Sequence, residues 1–163
     1  NFKPFNDFYG YGKGDEALVG LSQTIRSHVS PRIDFVGHVG GDDFVVVFRS
    51  PDWELRVERI FRDFEQSLSR LYRPEHLEAG GIVTKDRYGE ERAFPLLSLS
   101  AAALVCSGDE LEDGEALAYH LAPLKAEAKR QRGNVLKSCS LADLARPPDG
   151  TARRDAAGPS SAA

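Results

Sequence analysis

The feature that most constrains the fold is a pair of adjacent glycines followed by two carboxylates, all within strand-forming sequence. Gly40 and Gly41 are followed by Asp42 and Asp43, and the aromatic and β-branched run 44–48 comes next. Adjacent glycines supply the positive φ angles that tight hairpin turns need, and the run after them has the composition of a buried strand. The sequence therefore predicts a β-hairpin with two acidic side chains at its turn.

The two neighbouring carboxylates have two interpretations. At a strand edge they repel each other unless a cation neutralises them, and hard oxygen ligands suit Mg2+ that binds together with substrate phosphates. On this interpretation Asp42 and Asp43 are metal ligands. The alternative is an ordinary solvated turn, because glycine and aspartate are common turn residues.

Composition and charge weaken several classes of function. The 163 residues, 41% hydrophobic and 28% charged, fit one soluble domain with a substantial core. A net charge of −4 gives no electrostatic footprint for nucleic acid or an anionic membrane. No segment approaches the roughly 18–20 apolar residues of a membrane span. Cys106 and Cys139 lack metal-site or disulfide-framework spacing, which predicts a reducing, cytoplasmic setting.

Hydrophobic periodicity predicts three amphipathic helices. Apolar residues recur at helical spacing over about 16–29, 51–71 and 113–132, and Pro123 should kink or break the last helix. The first of these segments follows Asp15, which could cap its N-terminus.

Strand-forming runs are predicted at 79–84, at 94–105 and near 135–137. We expect one domain over 1–140, followed by a disordered tail at 141–163 that is rich in small and polar residues.

An ordered set of motifs surrounds the hairpin. Residues 1–7 read Asn-Phe-Lys-Pro-Phe-Asn-Asp, a Gly-Asp pair stands at 14–15 before a helix, and the glycine and acid hairpin follows. This order and spacing resemble the GGDEF family of diguanylate cyclases over about 1–138. The resemblance implies an α/β (α+β) fold with a central, mainly antiparallel sheet packed by helices, as in nucleotide cyclases and polymerase palms. It also implies that residues 1–7 form a loop leaving a first strand that is missing from this chain.

The resemblance implies roles for individual residues. Those expected to contact substrate are Phe2, Lys3, Asn6, Asp15, Gly40, Gly41, Lys129 and Arg132. An amide at Asn6 and a carboxylate at Asp15 can together read the guanine edge, which adenine would leave unpaired. Relatives end a helix in Ala-Lys-x-x-Gly-Arg-Asn, whereas here arginine and glycine are transposed after Lys129, so Arg132 would substitute. A plain basic helix C-terminus, favourable against the helix dipole, explains Lys129 and Arg132 equally well.

The function implied is condensation of two GTP into cyclic di-GMP and pyrophosphate, with each subunit of a homodimer holding one GTP. Asp42 and Asp43 would be the catalytic residues and would hold Mg2+ or Mn2+ together with an aspartate upstream of residue 1. We therefore expect an enzyme in the intact parent and no activity from these 163 residues alone. The alternative is an inactive GTP-binding regulatory or dimerisation module that controls an attached EAL phosphodiesterase. The residues around Gly37 and Tyr88 resemble GGDEF domains joined to EAL and CBS modules.

One regulatory motif of the family is expected to be incomplete. Many relatives carry Arg-x-x-Asp before the hairpin; here the aspartate is Asp34 but the arginine position is Pro31. Arg32 is displaced by one residue, which in an extended segment turns its side chain to the opposite face. We expect no local product-binding site, and we expect Asp34 and Arg32 to be solvated loop residues.

Overall fold

The computed structural model describes residues 1–85, 88–107 and 114–144. Its helices are α1 (Phe2–Tyr9), α2 (Tyr11–Ser27), α3 (Trp53–Ser67), α4 (Pro74–Glu78), α5 (Gly114–Lys129) and α6 (Leu141–Leu144), with a 3-10 turn at Leu68–Arg70. Its strands are β1 (Phe35–Gly40), β2 (Asp43–Val47), β3 (Gly81–Lys85), β4 (Glu91–Pro95), β5 (Ser100–Val105) and β6 (Val135–Ser140).

The strands form three hydrogen-bonded pairs. β1 pairs with β2 and β3 with β4, both antiparallel, whereas β5 and β6 are parallel. The parallel pair needs a crossover connection, which α5 supplies by packing along both strands. The predicted mixture of helices with mainly antiparallel strand pairing is confirmed. Among the described residues the three pairs are not joined into one continuous ladder.

The predicted hairpin is confirmed, and its turn is at the two glycines. Gly40 and Gly41 have φ angles of 136° and 55°, which an L side chain rarely adopts. The register shifts between His38 and Gly40, so β1 carries one extra residue next to the turn. The His38 ring stacks on Phe44 across the two strands, and its Nε2 donates to the Gly41 carbonyl oxygen over 2.9 Å. These contacts brace the turn that carries the two aspartates.

The hydrophobic core lies between α2, α3 and the inner face of the hairpin. Alternate hairpin residues pack against it, as the period of two in a strand requires. The buried cluster comprises Phe5, Ala17, Leu21, Ile25, Ile60, Phe64, Leu68, Leu71, Tyr72, Ile82 and Leu97. The apolar stripes predicted for α2 and α3 are thereby confirmed, and they fix how the hairpin turn is presented.

The prediction that residues 1–7 form a loop is wrong, because Phe2–Tyr9 is the helix α1. Its aromatic residues recur at helical spacing, and Phe5 is only 1% exposed in the core. Pro4 is tolerated because it lies in the first turn, where backbone N–H groups have no helical partner. Lys3 and Asp7 add an ion pair one turn apart.

The single strand predicted at 94–105 is divided into β4 and β5. The N–H of Leu97 donates to the Tyr72 hydroxyl over 2.9 Å, and the N–H of Leu99 donates to Asn134 Oδ1 over 2.8 Å. Side-chain oxygens therefore accept hydrogen bonds from the backbone N–H groups that would pair with a neighbouring strand if the strand were continuous. Of the kink or break predicted at Pro123, the break is wrong, because α5 runs through this residue while packed on β5 and β6; the kink stays a prediction.

Some expectations fall partly outside the described residues. These are the connection at 86–87, the helix start at residue 113 and all but the first four residues of the tail predicted at 141–163, since Leu141–Leu144 is the helix α6. The domain boundary at 140 stays a prediction; β6 ends at Ser140 and α6 follows directly and packs against it. In the part of the chain that the structure describes, no helix is both long and apolar enough to cross a bilayer.

Candidate functional site

A cavity of about 420 Å3 opens where the hairpin turn meets the end of α5. Asp42 and Asp43 line it together with the cations Lys129, Arg130 and Arg132. The remaining walls come from α1, α2, α3 and the segment between β4 and β5, through Asn1, Phe2, Ala17, Leu18, Leu21, Phe64, Pro95, Leu97, Ser98, Leu99, Ser100, Gln131 and Gly133. The hairpin and the end of α5 are far apart in sequence, so the fold brings these carboxylates and cations together.

Asp43 is held by a lysine to which the sequence pattern assigned no role. Lys125 Nζ lies 2.8 Å from Asp43 Oδ1, and the two side chains are 40% and 46% exposed. The hydrogen bond from Lys125 is the main cause of a lowered pKa of Asp43, and the charges of Lys125 and Lys129 add to it against the effect of partial burial. The one feature of the sequence that could have pointed to Lys125 is its spacing from Lys129, which places both lysines on one face of α5.

The acidic side chains of the cavity suit a metal that arrives with a ligand. Within the described ranges no group of three or more His, Cys, Asp or Glu side chains could hold a metal ion. Asp42 and Asp43 supply carboxylate oxygens, and Mg2+ is commonly bound through one or two carboxylates, with waters and substrate phosphates completing its octahedron. The two aspartates therefore fit Mg2+ bound together with a phosphorylated ligand.

The structure brings three of the residues expected to contact substrate to this cavity. Phe2 is half-buried in its wall, and Lys129 and Arg132 are exposed and also line it. Lys129 ends α5, where the helix dipole favours a cation and the free carbonyls accept hydrogen bonds. Both interpretations of these basic residues, helix-end partner and ligand contact, remain compatible with their position.

Lys3 and the two turn glycines lie elsewhere. Lys3 pairs with Asp7 over 2.6 Å and faces a second, smaller depression that Lys85 also lines. Gly40 and Gly41 form the exposed turn itself, outside the cavity lining. Their position shapes the approach of Asp42 and Asp43 to the cavity.

Asn6 and Asp15 lie on the two N-terminal helices. Asn6 Oδ1 is buried and finds no hydrogen-bond partner among the described residues. It packs against α2 so closely that a Cβ added at Gly14 would lie 1.9 Å from it. Asp15 is exposed within α2, whose N-cap is Gly10, so the helix-cap interpretation of Asp15 is wrong. A buried amide oxygen without a partner is costly, and neither Asn6 nor Asp15 is among the residues that line the cavity.

The prediction that Asp34 is a solvated loop residue is wrong. Its side chain is 0% exposed, and Oδ2 accepts hydrogen bonds from the Ser30 amide at 2.7 Å and Arg56 Nη1 at 2.9 Å. Oδ1 accepts one from the Arg49 amide at 2.9 Å. Burial raises the pKa of Asp34, but these two amides and the Arg56 charge outweigh it and hold the pKa below the ordinary value. Arg32 is exposed, as predicted. Asp34 therefore clamps the open end of the hairpin to α3.

Comparison with known families gives a match over most of the described chain. Residues 1–104 match the family model described as "Diguanylate cyclase, GGDEF domain". The matched region contains α1, α2 and the hairpin, and it ends within β5.

Curated relatives match over shorter stretches. A diguanylate cyclase of Vibrio cholerae serotype O1 is 39% identical over 71 residues, which are 44% of this chain and 21% of the relative. Diguanylate cyclase DgcM of Escherichia coli K12 is 43% identical over 51 residues, 31% of this chain and 12% of the relative. The probable diguanylate cyclase DgcC of the same strain is 32% identical over 65 residues, 40% of this chain and 17% of the relative. The chain thus spans about a fifth or less of the length of these relatives.

Proposed function

The chain belongs to the GGDEF domain family of diguanylate cyclases, and from this membership we propose that its cavity binds GTP with Mg2+ for the synthesis of cyclic di-GMP. The observation that carries the proposal is that carboxylates and cations line the same cavity. Asp42 and Asp43 can hold a cation, while Lys129 and Arg132 can hold phosphate oxygens. A triphosphate with its metal needs both types of partner at one place.

The reaction joins two nucleotides in two equivalent steps. The 3′-hydroxyl oxygen of one GTP attacks the α-phosphorus of the other, its proton passes to solvent, and the bond from that phosphorus to the bridging oxygen breaks. Pyrophosphate leaves, and the same step in the other direction closes the ring. Bound Mg2+, or Mn2+ in its place, would acidify the hydroxyl and neutralise charge on the phosphates. Asp42 and Asp43 would fix that charge beside the α-phosphate, and Lys129 and Arg132 would orient the phosphate chain.

Two GTP molecules have to meet for this reaction. Because we assign one nucleotide to each cavity, we infer that two copies of the chain face each other as a homodimer. The whole chain carries a net charge of −4, so its overall charge does not attract phosphate. The negative charge of the phosphates would be balanced locally, by the basic end of α5.

The binding of GTP to this cavity gives the direct test. In the presence of Mg2+, replacing Lys129 or Arg132 by methionine should weaken GTP binding about tenfold each, because each removes a charged hydrogen-bond donor to phosphate. Isothermal titration calorimetry measures the change. Arg70→Met, which removes an exposed cation outside the cavity lining, is the control and should bind GTP like the wild type. Equal GTP affinities in all four proteins would contradict the assignment of the GTP phosphates to this cavity.

Guanine selectivity should depend on the contact between α1 and α2. We assign the guanine edge to Asn6 and Asp15 from the family pattern, and the buried Asn6 oxygen, which lacks a partner in the described chain, would have to open toward the base to accept its donor. A methyl group at Gly14 would push the Asn6 side chain out of its position. Gly14→Ala should therefore lower the preference for GTP over ATP by about tenfold or more while the helix is retained.

The matched control for that prediction is Gly20→Ala. This glycine is in the same helix, and a Cβ there meets open space, so the substitution should leave the nucleotide preference unchanged. Competition titrations with both nucleotides measure the preference. If Gly14→Ala keeps the wild-type ratio, Asn6 does not read the base.

A regulatory role is the second candidate, and the Lys125 contact favours it. Asp43 already has an ammonium partner, and the described residues supply only two carboxylates at the cavity. Such a domain could hold GTP without turning it over and control an attached EAL phosphodiesterase, or pair with a CBS module. Assay of the intact protein separates the two roles: binding of GTP that changes phosphodiesterase activity without cyclic di-GMP production favours regulation.

A further inference from the structure

Lys125 contacts Asp43 but is not among the residues that line the cavity. It lies one turn before Lys129 in α5 and on the same face. Lys129 and Asp43 are part of the cavity wall, whereas Lys125 reaches Asp43 Oδ1 from outside that wall over 2.8 Å. The other carboxylate oxygen of Asp43 is left without that contact. Lys125 can therefore change the affinity of the cavity for a cation without contacting the ligand itself.

The charges around the cavity favour an anion over a free metal ion. Asp42 and Asp43 carry two negative charges. Four positive side chains oppose them, namely Lys125, Lys129, Arg130 and Arg132, so a surplus of two positive charges remains. A divalent cation entering alone meets this surplus, whereas a triphosphate that arrives with its metal neutralises it.

The exposure of the pair argues against a role confined to stability. Lys125 and Asp43 are 40% and 46% exposed, and ion pairs this exposed contribute little to folding. Asp43 is also fixed through its backbone in β2, whose turn His38 braces. Loss of Lys125 therefore changes the charge beside Asp43 more than it changes the position of Asp43.

We propose that Lys125 is a resident counter-ion of Asp43 that keeps the affinity for a divalent metal low until a nucleotide supplies its phosphates. Metal and nucleotide then bind cooperatively, because the phosphates offset the repulsion between the ammonium and the metal. This inference rests on the proposed function, since it assumes that metal and GTP share the cavity. Lys125 acts through Asp43, whose negative charge its ammonium group offsets, and it does not contact the metal or the nucleotide itself.

The test is a titration of the full 163-residue chain with MnCl2. In Lys125→Met we expect the dissociation constant for Mn2+ without nucleotide to fall about tenfold, because a unit charge within about 5 Å of a divalent ion repels it appreciably even in water. With a saturating non-hydrolysable GTP analogue, the difference between variant and wild type should shrink to about twofold or less. Lys125→Arg keeps the charge and should behave like the wild type.

Lys137→Met is the matched control. It removes a lysine that pairs with Glu127 of α5 over 2.6 Å and lies outside the cavity lining. This variant should bind Mn2+ like the wild type. If the affinity of Lys137→Met for Mn2+ also rose tenfold, loss of any nearby positive charge would have this effect. That result would overturn the assignment to Lys125.

The remaining outcomes separate the inference from the proposed function. If Lys125→Met binds Mn2+ like the wild type or more weakly, while the wild type binds Mn2+ with the GTP analogue, the counter-ion role is overturned and the proposed function stands. If no protein binds Mn2+ with or without the analogue, the proposed function fails and the role of Lys125 fails with it.

Discussion

In the intact protein, replacement of Asp43 by asparagine should lower the rate of cyclic di-GMP formation about a hundredfold or more. A neutral amide is a poorer ligand for Mg2+ than a carboxylate, and metal stabilisation of a phosphoryl transition state contributes several kcal/mol. The fold should survive, because Asp43 is half-exposed at the hairpin turn and its ion pair with Lys125 is largely solvated. Product formation from GTP and a thermal melt measure the two effects.

The conservative variant makes this prediction sharper. Asp43→Glu keeps the carboxylate and its charge, so it should retain activity that Asp43→Asn loses. Glu16→Gln removes an exposed carboxylate of α2 that pairs with Lys13, and it should leave the rate unchanged. Full turnover by Asp43→Asn would place the chemistry at another site.

Replacement of Asp34 by alanine should lower the free energy of unfolding by about 2–3 kcal/mol. The substitution leaves the amides of Ser30 and Arg49 without their acceptor and removes a buried partner of Arg56. These groups join the start of β1 and the end of β2 to α3, so the hairpin loses its anchor. Urea denaturation followed by circular dichroism measures the loss.

Arg56 also offers the matched control for that variant. Its second partner, Asp52, contacts it at 3.0 Å with a side chain that is half-exposed. Asp52→Ala removes one partner of the same arginine without leaving a buried amide unpaired, so its effect should be much smaller. Equal losses from Asp34→Ala and Asp52→Ala would contradict the clamp.

The pH dependence has a definite sign. The folded pKa of Asp34 lies below the ordinary value of 3.8, so its ionised form contributes stability at pH values above about 4. That contribution is lost as the pH falls through the still lower folded pKa. The gap in unfolding free energy between wild type and Asp34→Asn should therefore be largest near neutrality and narrow in acid.

Local patterns predicted the hairpin and the two core helices well, because their signals lie within a few residues. Gly40 and Gly41 can hardly form anything but a turn, and the apolar spacing in α2 and α3 repeats over several turns. The aspartates and the basic end of α5 were selected as candidates by a family pattern. Their presence in one cavity depends on the fold.

Other features depend on partners that are distant in sequence. Lys125 and Asp43 are 82 residues apart, and Asp34 and Arg56 are 22 apart, so no local pattern pairs them. The division of the strand at 96–99 depends on hydroxyl and amide acceptors from Tyr72 and Asn134. The helix α1 was misassigned for a different reason: its aromatic spacing was visible, but the family pattern assigned those residues to a loop.

The assembly of the cavity from remote segments has a consequence for folding kinetics. The hairpin joins residues close in the chain and can form on the microsecond timescale. The contact between Lys125 and Asp43 closes a far longer loop, whose entropy is recovered only after α5 has packed on β5 and β6. We therefore expect the cavity to form late in the folding reaction. A ligand bound there would act on the native state after the transition state has passed, and would slow unfolding while leaving the folding rate nearly unchanged.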